Sequence, residues 1–266
     1  MLSYWRLLLL AFFAGIFLFF WDWTFLVPFK VFVVSLHEIS HAMGALMTGG
    51  SVHEIVISWN ESGITRTSGG NFLAIASAGY VGSIIWGSLL LYSSLQNKMP
   101  RINSVLTGIV ILYFTLSYFE SLEITIFFLG LLWGFIFLIS CFFFLKINRF
   151  LLFFMGGLTS LYAVYDLGDF FRGDVLKTDA GIIAKHYLGN SASALPAAYF
   201  IGIFLSAVSI WIFTRLVYHA LYVDIDNSEP EEEIDDPDMN SFENIDPETL
   251  RLLELINRQK TENQKR

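Results

Sequence analysis

Seven stretches of this chain are apolar over about the thickness of a lipid bilayer: 5–23, 26–48, 71–95, 104–119, 124–145, 150–170 and 196–222. A helix needs roughly 20 apolar residues to cross the hydrocarbon. Lipid offers the backbone no hydrogen bonds, so such runs are restricted to helices. The run at 104–119 is short and is followed by the polar break ESLE at 120–123, which sets the expectation at six or seven spans. Hydrophobic residues make up 55% of the chain and charged residues only 15%, against about 25% charged in ordinary soluble domains. The fold class expected is an all-α polytopic membrane protein, integral and multi-pass in the lipid bilayer. The first run follows Arg6 and ends at Trp21 and Trp23 with no small-x-small cleavage site. It is expected to be a retained span with interfacial tryptophans rather than a signal peptide.

The net charge of −8 belongs to one end of the chain. Residues 1–223 carry 11 Lys/Arg and 10 Asp/Glu, whereas 224–266 carry 5 and 14. Two domains are therefore expected: a transmembrane unit over 1–223, with its functional core at about 26–170, and an acidic, largely disordered tail over 224–266. The tail has helix signals near 247–260, with Asp246 as cap, Pro247 at the first position and an apolar stripe of leucines. That segment reads as a surface helix or as a docking helix for a partner. No basic stripe is present, so nucleic acid is not an expected partner. The lone Cys141 lies in an apolar run and reads as a packed small residue.

Two connections read as structured. Residues 49–71, GGSVHEIVISWNESGITRTSGGN, hold β-branched residues around a WNESG turn with glycines on both sides. They predict a small membrane-associated β-hairpin. The polar segment 172–196 predicts a short helix near 178–188.

The second span holds His37-Glu38-x-x-His41. Residues i and i+4 share one helix face, so both imidazoles can meet one ion, and Glu38 can reach water there without being a ligand. Two histidines and a glutamate inside an apolar helix are costly and functional by default. The expected ion is zinc, with His37 and His41 as ligands and Glu38 as general base. A catalytic zinc takes three protein ligands and keeps one open position. His53, His186 and His219 lie in a hairpin, a loop and a membrane edge, and read as ordinary polar residues. Asp166 and Asp169 close an apolar run at i and i+3. Asp166 lies deeper and is the favoured third ligand, with Asp169 as the alternative.

HEISH in a membrane helix, a glycine-flanked hairpin, AGYVGS in the next span, and YDLGD and TDA late in the chain together resemble the site-2 protease family. The closer likeness is to its compact subgroup without a PDZ domain, over roughly 30–215. The resemblance implies an intramembrane zinc metalloprotease that cuts transmembrane segments of other proteins. By it, His37 and His41 hold zinc, Glu38 is the base and Asp166 the third ligand. Asp179 in TDA stands at a position that the subgroup shares. The chain has Leu167-Gly168-Asp169 where larger relatives carry Leu-Asp-Gly after Asn-x-x-Pro, so Asp166 and Asp169 both stay open. The family also places a β-hairpin beside the zinc, to whose edge an unwound substrate could add as a strand. Gly79, Gly82 and Gly87 read as helix-packing positions.

Two other functions compete with this one. A protease-like protein that only holds clients would be expected to lose Glu38. A proton- or metal-linked transporter would need ionisable residues along several spans, and 104–119 and 124–145 hold none.

Overall fold

The computed structural model describes residues 19–20, 23–59, 62–96, 99–120, 124–165 and 175–226. The chain divides into a unit Met1–Asp224 and a unit Ile225–Arg266, and the latter lies almost wholly outside the described residues. Among the described residues the order of elements is α1 (Val27–Met47), β1 (Ser51–Ile57), β2 (Gly63–Ser68), α2 (Phe72–Leu95), α3 (Met99–Tyr118), α4 (Ile124–Phe143), α5 (Leu145–Tyr165), α6 (Asp179–Leu188) and α7 (Ala194–Asp226). Short 3₁₀ turns precede α1 and α6. The protein is mostly helical with one small antiparallel sheet.

Among the described residues five helices are long and apolar enough to cross a bilayer: α1, α2, α3, α4 and α7. Helix α5 has similar length but carries Lys146 and Arg149 in its first turns. The expected run at 5–23 falls outside the described residues, apart from 19, 20 and 23. Helix α3 begins at Met99 rather than 104. Its first turns carry polar groups, and Asn148 of α5 meets them. Ser104 donates to Asn148 Oδ1, Ser140 Oγ donates to the same oxygen at 3.0 Å, and Asn148 Nδ2 donates to the Pro100 carbonyl at 3.3 Å. A buried amide satisfied this way lets a polar helix end enter the bundle.

Helix α1 is the centre of the fold. Every residue from Lys30 to Ala42 is buried, so the helix is enclosed on all sides rather than on one stripe. Phe32 stacks on Phe137 of α4 with ring centroids 5.3 Å apart, and Trp133 Nε1 donates to the Pro28 carbonyl at 2.7 Å. The helix stops at Thr48, where Gly49 takes φ +81° and Gly50 N–H bonds back to the Ala45 carbonyl at 2.8 Å. A left-handed glycine is the usual way to end a helix and turn the chain.

That turn feeds the hairpin, in which Ser51 pairs with Ser68 and Ile57 with Gly63, with an irregularity at Val52/Glu54. Ile55 and Ile57 are buried in the same core as α1. The Glu120 N–H bonds to the Ile55 carbonyl at 3.1 Å, so the end of α3 covers part of the free edge of β1. Asn71 then caps α2 by accepting from the Ala74 N–H at 3.0 Å. Helices α2 and α5 pack backbone to backbone. A Cβ on Gly156 would stand 2.5 Å from Leu91 N and 2.8 Å from Gly87 O. Small residues at such crossings let membrane helices approach closely.

Candidate metal centre

The HEISH helix presents both imidazoles to one point. His37 Nε2 and His41 Nε2 stand 3.2 Å apart. Each is also 3.2 Å from Asp179 Oδ2, so the three atoms form an even triangle. Among the described residues this is the group of His, Cys, Asp and Glu side chains that could hold a metal ion.

Asp179 is the first residue of α6, a short helix after the polar connection. The TDAG sequence explains how it gets there. The Thr178 hydroxyl accepts from the Gly181 N–H at 3.4 Å. Ala180 is fully buried, and a Cβ on Gly181 would stand 2.5 Å from Leu176 Cα. The first turn of α6 is therefore held hard against the preceding 3₁₀ turn, with Asp179 aimed at the histidines.

The outer nitrogens fix the rings. His41 Nδ1 lies 2.7 Å from the Ile75 carbonyl, which can only accept, so Nδ1 carries the proton. A neutral His41 then turns the Nε2 lone pair toward Asp179 Oδ2 and His37 Nε2. His37 Nδ1 is paired with Ser83 Oγ at 3.2 Å. With the Ser83 hydroxyl accepting from Nδ1, His37 takes the same tautomer, and two lone pairs then converge with a carboxylate oxygen in an arrangement suited to a cation. Donors at about 2.0–2.1 Å from a tetrahedral ion stand roughly 3.3–3.4 Å apart, close to the separations found. The donor set and its spacing fit a zinc-sized ion.

Room for the rings comes from α2. A Cβ on Gly79 would overlap His41 Nε2 and stand 2.5 Å from His37 Nε2, and a Cβ on Gly82 would overlap Ser40 Oγ. The three glycines Gly79, Gly82 and Gly87 of α2 therefore divide by task. Gly87 serves helix packing, as expected for all three, while Gly79 makes space for the imidazoles.

The family described as Peptidase M50B-like matches residues 9–215. The chain belongs to this family. The match spans most of the chain, from before α1 into α7. No match was found among curated proteins or among solved structures. M50 peptidases are membrane metalloproteases, which agrees with a multi-pass helical bundle built around a group able to bind a metal.

In this M50B-like chain Glu38 is buried beside the triangle. Strand β2 meets it: Thr65 Oγ1 donates to Glu38 Oε2 at 2.6 Å. A cavity of about 530 Å³ opens on Glu38, His41 and Asp179. Its walls are β2 from Gly63 to Thr67 with Gly69 just beyond it, the first turns of α2 at Phe72, Ile75 and Ala76, and Lys177 and Ile182 around α6. The expected ligands Asp166 and Asp169 lie outside the described residues. His53 pairs with Ser68 Oγ at 2.8 Å, and His186 stacks on Phe72 at 3.8 Å. Neither belongs to the triangle. Sequence reasoning singled out His37, Glu38 and His41 but gave no role to Thr65 or Ser83. A threonine on the inner face of the ITRTS alternation is the one local sign of Thr65.

Proposed function

We propose that the protein is a zinc-dependent intramembrane endopeptidase, and that His37, His41 and Asp179 hold the ion. The observation that carries this reading is the 3.2 Å triangle of donor atoms, which lies beside buried Glu38 at the head of a cavity. A zinc ion held there is a Lewis acid that acidifies water and polarises a carbonyl. Glu38 takes a proton from the attacking water and returns it to the leaving amide nitrogen. The carbon–nitrogen bond breaks, leaving a carboxylate on one product and an amine on the other.

The substrate is a transmembrane segment of another protein, reached through the bilayer. A peptide bond inside an intact helix is shielded, so the substrate must be extended before water can attack. Its freed backbone groups then need partners that lipid does not supply. Strand β2 borders the cavity and supplies a backbone edge to which an extended chain can add. Phe72, Ile75, Ala76 and Ile182 form an apolar wall for its side chains.

The test is Glu38→Gln in purified protein with a synthetic transmembrane substrate. The variant is expected to keep zinc and lose cleavage by at least about 100-fold. Cleavage at the wild-type rate would refute Glu38 as base. Zinc without turnover in the wild type would favour the client-holding alternative.

A further inference from the structure

The sequence GITRTS alternates along β2. Gly63, Thr65 and Thr67 are half-buried, while Ile64, Arg66 and Ser68 are exposed. An apolar bundle does not call for a hydroxyl on the inner face of a strand unless that hydroxyl has a partner. Thr65 has one in α1. Its Oγ1 lies 2.6 Å from Glu38 Oε2 and 3.0 Å from the Glu38 carbonyl. A hydroxyl has one proton, and the shorter, charge-assisted bond to the carboxylate takes it.

Gly63 acts on the other oxygen. A Cβ there would stand 2.7 Å from Glu38 Cδ and would overlap Oε1. Residues two apart on a strand face the same way, so Gly63 and Thr65 flank the carboxylate from one side. A glutamate has three side-chain torsions, and nothing in α1 itself fixes the last of them. The strand does so: Oε2 is engaged as an acceptor, and among the described residues Oε1 is the oxygen left to receive a proton.

We propose that Thr65 is a positioning residue for Glu38, so that strand β2 is part of the catalytic apparatus as well as a wall of the cavity. This rests on the peptidase reading above. Thr65 acts through Glu38 and touches none of the three metal donors. The hairpin then links two events, because the strand beside the substrate also orients the base.

The experiment compares Thr65→Val and Thr65→Ser in full-length, zinc-loaded protein. Valine keeps the branched shape and removes the proton donor, whereas serine keeps the donor. Expected for Thr65→Val is a kcat about 10–100-fold lower, with KM, zinc content and thermal midpoint unchanged. Thr65→Ser is expected to recover most of the loss. A wild-type kcat in Thr65→Val, an equal loss in Thr65→Ser, or loss of zinc from Thr65→Val would each overturn the proposal. A second readout needs no turnover. The Glu38 carboxylate stretch, isolated as the infrared difference between wild type and Glu38→Gln, is expected to move in Thr65→Val and return in Thr65→Ser. A stretch unmoved in Thr65→Val overturns the proposal whether or not the protein cleaves. Failure of the wild type to cleave counts against the function and leaves the infrared result to decide Thr65.

Discussion

Replacing Gly79 with alanine tests how the metal centre is built. The added methyl carbon would stand 2.5 Å from His37 Nε2 and 2.6 Å from its Cε1, and nearer still to His41 Nε2. Ordinary contact begins at 3.4 Å, so relief requires a retreat of 3.4 − 2.5, or 0.9 Å. The rings are not free to make it. His41 is tied to the Ile75 carbonyl at 2.7 Å and His37 to Ser83 at 3.2 Å, and both partners sit on the same helix as Gly79. Metal–ligand distances tolerate only about ±0.2 Å. The displacement exceeds that several-fold, so the loss should fall on metal affinity. Alternatively α1 and α2 part, at an overpacking cost of about 1–3 kcal/mol. Zinc affinity, measured by competition with a chelator in detergent, should fall by at least about 100-fold. Circular dichroism should retain the helical signal. A Gly79→Ala protein that binds zinc within about threefold of wild type would refute the reasoning.

Ser83→Ala removes the partner of His37 Nδ1 while leaving the donor triangle intact. It should weaken zinc by about tenfold and barely move the thermal midpoint, measured by the same competition and by a melting curve. Asn148→Ala removes the shared acceptor of buried Ser104 and Ser140, leaving Ser104 without that partner and Ser140 with the Phe137 carbonyl. It should lower stability by about 1–3 kcal/mol in a denaturant titration and leave zinc content unchanged.

What could be read from the sequence was local. Apolar runs and glycine punctuation marked the helices and the hairpin because both signals depend on neighbours a few residues apart. HEISH was legible for the same reason, since i and i+4 meet on any helix. Asp179 sits 142 residues from His37 in a polar connection, and only tertiary folding brings the two within 3.2 Å. The rule that a deep carboxylate is costly pointed to Asp166 instead, which lies outside the described residues. TDA drew notice only through the family resemblance. Its local meaning, a capped and tightly packed helix start, needed Gly181 and Ala180 in three dimensions. Gly79 looked like a packing residue because a helix interior gives no sign of whether its missing Cβ faces a backbone or a pair of imidazoles. The run at 104–119 looked short because its apolar stretch starts at Ser104, whereas the helix starts at Met99 and Asn148 meets its polar first turns.

The central claim is the set of three ligands, and metal content tests it most directly. Zinc per chain would be measured in purified wild type, Asp179→Ala, Asp166→Ala and Asp169→Ala. The account predicts one zinc in the wild type, near none in Asp179→Ala and retention in the other two. Full zinc in Asp179→Ala, with loss in Asp166→Ala or Asp169→Ala, would contradict it.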